Sequence, residues 1–287
     1  MPLVRAVAVS AALAAVMALA VPAQAVPVLP DFGAASFKPG QAIDNTYFPL
    51  LPGSFNVLKA KGVDDEGEPF SEHTERSFFG KGPKILGVRV TTMLDRAFED
   101  DLLVERTKDY FAQDTAGNVW YMGEDVTNFH YDDDGNLIGK DHESAWRAGR
   151  KGAKPGFIMP IDKTIGFNYF QEHAPKDEAL DHGQTFAILN ALTVAGTTYK
   201  NVLQVLERSK AEPGARDFKF YAPGIGLIME QEGLDVNLSN PELVFERDPA
   251  AIPLPAPLVL ILAGVGSLAA LRRRQITTTF APIWTRS

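Results

Sequence analysis

The chain reads as mainly β: a large twisted antiparallel sheet or half-barrel, with an N-terminal signal helix and a C-terminal transmembrane helix. Three observations carry this. The body is built of short segments in which apolar and polar residues alternate, as in Val88-Arg89-Val90-Thr91-Thr92-Met93, the rhythm of a half-buried strand. Gly, Pro, Asn and Asp punctuate those segments closely, and no helical run of a dozen or so residues separates them, as a parallel α/β crossover would need. The two long apolar runs lie at the chain ends, over residues 6–20 and 258–271.

The first end is a secretory signal. Arg5 gives a positive start, residues 6–20 an apolar stretch, and Ala23-Gln24-Ala25 a small-residue cleavage site, so residues 1–25 are expected to be removed at Ala23 and Ala25 by signal peptidase. Residues 26–43 read as an irregular lead-in, broken by Pro27, Pro30, Gly33, Pro39 and Gly40.

The body, residues 44–234, carries the strands. The pattern predicts them at 54–60, 70–79, 85–94, 102–113, 119–122, 128–131, 137–140, 168–173, 185–194, 202–209, 218–222 and 227–232. Turns are expected at Asp64-Asp65-Glu66-Gly67, Gly80-Lys81-Gly82-Pro83 and Asp114-Thr115-Ala116-Gly117-Asn118. Many short strands joined by hairpins make one antiparallel domain. Residues 235–250 read as a polar, flexible stalk.

Three stretches of the body resemble the opening, middle and close of exported bacterial β-domains. They are Asp44-Asn45-Thr46-Tyr47-Phe48-Pro49-Leu50-Leu51-Pro52-Gly53, the stretch from Ala112 to Glu124 containing Gly117-Asn118-Val119-Trp120-Tyr121-Met122-Gly123, and Tyr221-Ala222-Pro223-Gly224-Ile225-Gly226-Leu227-Ile228. The last is also similar to lipoprotein carrier proteins, whose twisted sheet curls into a half-barrel. The likeness implies a fold and names no activity.

The second end is more specific. Pro253-Leu254-Pro255-Ala256 precedes the apolar run 258–271, and Arg272-Arg273-Arg274 follows it. This order resembles the VPLPA variant of the PEP-CTERM sorting signal of Gram-negative surface proteins. The resemblance implies recognition of residues 251–274 by an exosortase-type membrane enzyme. It also implies an inner-membrane anchor facing the periplasm, later release to the surface or matrix, and association with exopolysaccharide. Fourteen apolar residues span roughly 21 Å as a helix, short of a hydrocarbon core of about 30 Å. The arginines place the C-terminal side in the cytoplasm. Residues 275–287 extend past the arginines, where tails of that family stop, and read as a cytoplasmic tail.

Composition narrows the chemistry. Residues 26–248 hold 36 acidic and 23 basic residues, a net charge near −13, which repels nucleic acid and keeps the domain soluble. There is no cysteine, so disulfides, thiol catalysis, iron–sulfur clusters and cysteine-ligated zinc are excluded.

Motifs for nucleophilic or phosphate chemistry are missing: no G-x-S-x-G, no Walker loop, no H-E-x-x-H. Asp132-Asp133-Asp134-Gly135-Asn136, with Glu143 beyond it, offers hard oxygen donors for Ca²⁺ through Asp132, Asp134 and Glu143. Gly135 stands at loop position 4 and not 6, so the EF-hand register fails and a charged hairpin tip is the favoured reading. Four of five histidines follow an acid (His73, His142, His173 and His182). Neighbours on a strand face opposite ways, so solvated surface histidines are expected.

The sequence therefore predicts a non-enzymatic exported protein of the cell envelope without a cofactor. Two competing readings stay open: a binding protein whose curved sheet holds a lipid or other apolar ligand among its dense aromatics, and a hydrolase using clustered carboxylates or histidines.

Overall fold

The computed structural model describes residues 26–63 and 67–251. A short 3-10 turn at Phe32–Ala34 precedes sixteen strands. They are β1 (Ile43–Asn45), β2 (Phe48–Leu50), β3 (Phe55–Val63), β4 (Pro69–Ile85), β5 (Val88–Glu99), β6 (Leu102–Gln113), β7 (Val119–Tyr131) and β8 (Leu137–Asp141). The second half adds β9 (Lys154–Met159), β10 (Asn168–Phe170), β11 (Glu172–His173), β12 (Asp181–Val194), β13 (Thr197–Ser209), β14 (Asp217–Ala222), β15 (Gly226–Glu232) and β16 (Leu243–Arg247).

β1 and β2 form a small hairpin. The others build one antiparallel sheet in the order β10-β12-β13-β14-β15-β16-β3-β4-β5-β6-β7-β9-β11, with β8 beside β7. Its two ends, β10 and β11, are separated in the chain by Gln171 alone, so the sheet rolls until its edges nearly meet and closes into a half-barrel. At that seam a Cβ on Gly156 would lie 2.2 Å from the Phe170 carbonyl oxygen and 2.5 Å from that of Gln171. Only glycine lets β9 pass there.

The antiparallel half-barrel expected from the sequence is the observed fold, with local differences: β1, β2 and β9 lie outside the expected strands, and the strand expected at 168–173 is two, β10 and β11. Gly80-Lys81-Gly82-Pro83 makes no turn; it lies inside β4, whose pairing with β5 shifts register between Phe78 and Gly80 and again between Lys81 and Lys84. Glycine and proline at such sites bend a strand by bulging it. Segments 119–122 and 128–131 are the two ends of one strand, β7. The stalk expected over 235–250 contains β16, which pairs with both β15 and β3 and joins the two halves of the sheet. Phe245 is 1% exposed there, and burying one such side chain contributes about 1.5–3 kcal/mol, so the segment is held in the wall. The signal peptide, the turn at 64–66, the sorting signal and the C-terminal apolar run lie outside the described residues. Among the described residues, no helix is long and apolar enough to cross a membrane.

Two apolar clusters hold the barrel. The first fills one end of the interior around Trp120, Phe111, Tyr121, Leu58, Leu203, Tyr221 and Phe245. Phe32 and Phe37 of the lead-in cap Trp120, with ring centroids 5.3 and 6.3 Å away. The second lies on the outer face of β13–β15, where Phe218, Phe220, Ile228 and Leu206 pack beneath Val194 and Tyr199 from the tip of the β12–β13 hairpin. That hairpin curls back over the wall until Ala195 N–H reaches Glu246 Oε1 of β16. The three stretches that resemble exported β-domains meet at the apolar end. Gln113 Oε1 accepts from the N–H groups of Asp44 and Asn45, Asn45 Nδ2 donates to the Gly117 carbonyl, and Gly224 N–H donates to that of Thr46.

Candidate functional site

Beyond the apolar plug the same strands turn their inward faces polar. On β6 the alternation Glu105-Thr107-Asp109 points inward, and on β14 Asp217-Lys219 does so; all five are no more than 4% exposed. Arg76 of β4, Asp95 of β5, Glu124 of β7, Glu172 of β11, Asp181 of β12, Glu207 of β13 and Glu230 of β15 join them, all buried. The interior is a buried ionic layer stacked on an aromatic one.

Its cations sit against carboxylates. Lys219 Nζ lies 2.6 Å from Glu207 Oε2 and 3.2 Å from Glu230 Oε1. Arg76 Nε lies 2.8 Å from Asp95 Oδ2, and its Nη2 is 3.6 Å from Glu230 Oε2. Burial works against both charges, but the facing carboxylates outweigh it and raise the Arg76 and Lys219 pKa values. Gln171 Nε2, from the seam, donates to Glu207 Oε1 at 2.6 Å and ties barrel closure to this network.

For several other carboxylates burial outweighs the cations: Arg76 favours the charged forms of Glu105 and Asp109, and Lys219 that of Asp217, too weakly to offset desolvation. Tyr121 Oη is 2.7 Å from Asp109 Oδ1 and 2.8 Å from Glu124 Oε2. A phenol has one proton to donate, so one of these carboxyls keeps its own. Burial, with Asp95 nearby, pushes Asp109 up to about 8. Burial and Asp109 push Glu124 well up, and burial and Asp181 do the same to Glu172. Burial takes Glu105 up to about 7, although the Thr107 hydroxyl donates to it at 2.7 Å. Asp217 rises to about 8 for the same reason, opposed by the Gly233 N–H. The hydrogen-bonded group Asp109–Tyr121–Glu124 can therefore share protons. It presents no exposed nucleophile.

The residues singled out from the sequence are placed elsewhere. Asp132 and Asp134 sit at the turn between β7 and β8, where Asp132 Oδ1 accepts from the N–H groups of Asp134 and Asn136. Glu143 follows β8 and donates its N–H to Asp141. Among the described residues, no three His, Asp or Glu side chains converge as a metal site would require. The histidines stand apart by role. His142 Nδ1 contacts the Val126 carbonyl, His130 pairs with Asp141, and His73 stacks on Phe98 at 4.4 Å, while His173 and His182 flank Phe170. His182 departs from the solvated expectation. It is buried, and burial aided by Arg208 and Lys210 takes it down to about 4. Ala23, Ala25, Pro253, Leu254, Pro255, Ala256, Arg272, Arg273 and Arg274 lie outside the described residues.

Sequence reasoning missed the ionic layer because alternation says which residues share a face, not which face is inside. Asp217-Phe218-Lys219-Phe220 looks like a strand with its charges in water. Here the hairpin arm covers the phenylalanines and the charges face inward.

Two shallow pockets, of about 260 and 450 Å³, lie against the lead-in. Asp31, Asp114, Trp120 and Phe157 border the first, and Pro30, Leu86 and Lys154 the second. Trp120 Nε1 donates to Asp114 at 2.9 Å, so the polar atoms there already serve the turn.

No family model matches the chain, and no curated protein matches it. Two solved structures share a distant likeness. One is from Bacteroides fragilis NCTC 9343 and is named as an exported protein with a YmcC-like fold. It overlaps at a TM-score of 0.36 and 8% identity, over 71% of this chain and 97% of that one. The other, from Parabacteroides distasonis ATCC 8503, is named as a lipoprotein. It overlaps at a TM-score of 0.33 and 11% identity, over the same shares. At that level of overlap, the reading rests on this chain's own residues. They define an antiparallel half-barrel with a sealed ionic interior.

Proposed function

We propose that this chain is an exported, non-catalytic domain of the cell envelope, delivered by its N-terminal signal and sorted through residues 251–274. The observation that supports the non-catalytic reading is the sealing of the acid–base groups that the fold concentrates. Glu105, Asp109, Glu124, Glu172 and Asp217 lie between 2% and 7% exposed, engaged with partners inside the wall. A hydrolase would need such a pair open to a cleft. The reading as a holder of an apolar ligand draws no support from the interior, since Trp120, Phe111, Tyr121, Leu203 and Tyr221 occupy it. By its resemblance to sorted surface proteins, the domain associates with exopolysaccharide, and its acidity calls for divalent cations to bridge it to acidic chains.

Intact-mass spectrometry of the native protein with cell fractionation tests this. Loss of residues at both ends, with the domain at the surface or in the medium, is the expected result. A chain complete to Ser287 in the inner membrane would overturn the sorting half of the reading. Hydrolysis of a polysaccharide by the purified protein, abolished in Asp109→Asn, would overturn the other half.

A further inference from the structure

The connections at the two ends of the barrel expose opposite chemistry. At the end filled by the aromatic cluster, four aliphatic side chains stand out from the loops: Leu51 is 39% exposed, Ile161 56%, Ile165 58% and Ile225 42%. The β1–β2 hairpin ties these loops into one rim. Asn45 Nδ2 donates to the Gly117 carbonyl, Gly224 N–H to that of Thr46, and Ile161 N–H to Asn118 Oδ1. The rim segments 45–58, 115–123 and 220–229 hold no charged side chain, and 160–171 holds only Asp162 and Lys163, although 22% of the chain is charged. The connections at the ionic end instead carry Asp100 and Asp101, Asp132 to Asp134, and Asp235.

The chain leaves the barrel at the uncharged end. β16 runs toward it, and beyond β16 the Asp248 N–H donates to the Val57 carbonyl, close to the start of β3. Just before β3, Ser54 N–H donates to the carbonyl of Leu51, one of the four tips. Seven residue steps separate Ala251 from Leu258, where the apolar run 258–271 begins, a reach of at most about 25 Å. If that run enters a bilayer, the tether keeps this rim, and not the acidic end, beside the lipid.

We propose that the rim of Leu51, Ile161, Ile165 and Ile225 seats on the bilayer that the C-terminal run enters, with its aliphatic tips below the head groups and the acidic end facing away. The proposal rests on the reading of residues 251–274 as a membrane-borne segment. The exit point and the charge distribution together select a lipid surface as the occupant. A domain with a net charge near −13 is repelled by anionic lipid in other orientations, and this rim is where the charge is missing. Tyr47, with Lys163 Nζ 5.6 Å from its ring, adds amphipathic side chains of the kind that suit a headgroup layer.

The chain has no cysteine, so single labels can be placed without background. Leu51→Cys, Ile161→Cys, Ile165→Cys and Ile225→Cys variants of the full-length chain would each carry an NBD fluorophore. They would be reconstituted in vesicles of phosphatidylethanolamine and phosphatidylglycerol containing a phospholipid spin-labelled near the top of its acyl chain. Ile138→Cys is the control, an aliphatic position 67% exposed on β8 at the acidic end. Each rim label should shift to the blue and lose about half its emission to the spin label, as groups at the headgroup boundary do, while the control stays bright. Adding Leu51→Ser, Ile165→Ser and Ile225→Ser to the Ile161→Cys variant should return most of the lost emission. Rim labels as bright as the control, in a chain that floats with the vesicles, would overturn the seating and leave the membrane reading standing. Equal quenching at all five positions would also overturn it. A chain that fails to float with the vesicles would overturn the membrane reading and the seating with it.

Discussion

The two ends of the barrel interior are built from the same strands and are held together differently. On β6 Phe111 lies in the aromatic end and Asp109 and Glu105 in the ionic end; on β13 Leu203 and Val205 lead to Glu207; on β14 Tyr221 leads to Lys219. At the aromatic end, stability comes from apolar area removed from water and from ring contacts such as Trp120 on Phe157 at 4.5 Å. At the ionic end, desolvation opposes folding, and the arrangement holds only because each charge meets a partner or a proton. The aromatic end is therefore tolerant of pH and sensitive to volume, and the ionic end the reverse.

The most severe break is at the ionic end. Lys219→Met strands Glu207 and Glu230, and urea unfolding at pH 8 should show a loss of about 3–5 kcal/mol. At pH 5 the loss should shrink, because the orphaned carboxyls can take up protons, and adding Glu207→Gln should restore part of it. Trp120→Ala at the aromatic end should cost a similar or slightly smaller amount, about 3–4 kcal/mol, and the same at both pH values. Equal pH dependence in the two variants would remove the distinction.

The parent protein should show the same asymmetry with no mutation. Asp109, Asp217 and Glu105 titrate near 8, 8 and 7 when folded, well above their ordinary values near 4. Between those limits the folded state binds more protons than the unfolded one. Stability is therefore highest below about pH 4–5 as far as these groups are concerned, and declines as pH rises toward 8. The slope is up to about 1.4 kcal/mol per pH unit for each proton. Thermal unfolding from pH 5 to 8.5 measures it, and Asp109→Asn should flatten the curve by about one proton's share. A midpoint that rises over that range would contradict the buried, protonated state.

The smallest expected effect lies outside both layers. Asp132→Ala removes the side-chain acceptor that holds the β7–β8 turn and should cost about 1 kcal/mol or less, since the site is exposed. The same variant separates the two readings of that turn. A hairpin tip predicts no change in melting temperature on adding Ca²⁺ to the parent, whereas a Ca²⁺ site predicts a rise that the variant loses.

Most of the wall was legible from alternation and turn chemistry, since β5, β6, β12 and β13 keep a two-residue rhythm between glycine- and asparagine-rich turns. β9 was not expected, because Pro155 and Gly156 interrupt any strand rhythm there; their placement at the seam, where Gly156 must pass the Phe170 carbonyl, explains the glycine. β16 was hidden because Leu243-Val244-Phe245 is short and flanked by Glu242, Glu246 and Arg247. Its strand character comes from two neighbours distant in sequence. The ionic layer was not legible at all: with 36 acidic residues, nothing local marks the few that are enclosed.

By itself, the sequence determined the antiparallel class, the strand rhythm, the absence of thiol chemistry and the acidity of the domain. These follow from side-chain pattern and composition, which act locally or as a sum. The tertiary structure alone decided that Gly80 and Gly82 bulge a strand, that β16 joins the two halves, and that Lys219 and its carboxylates face inward. Which face of a strand is inside depends on what covers the other, and here a hairpin arm some twenty to thirty residues earlier in the chain covers Phe218 and Phe220 and turns the charges into the barrel.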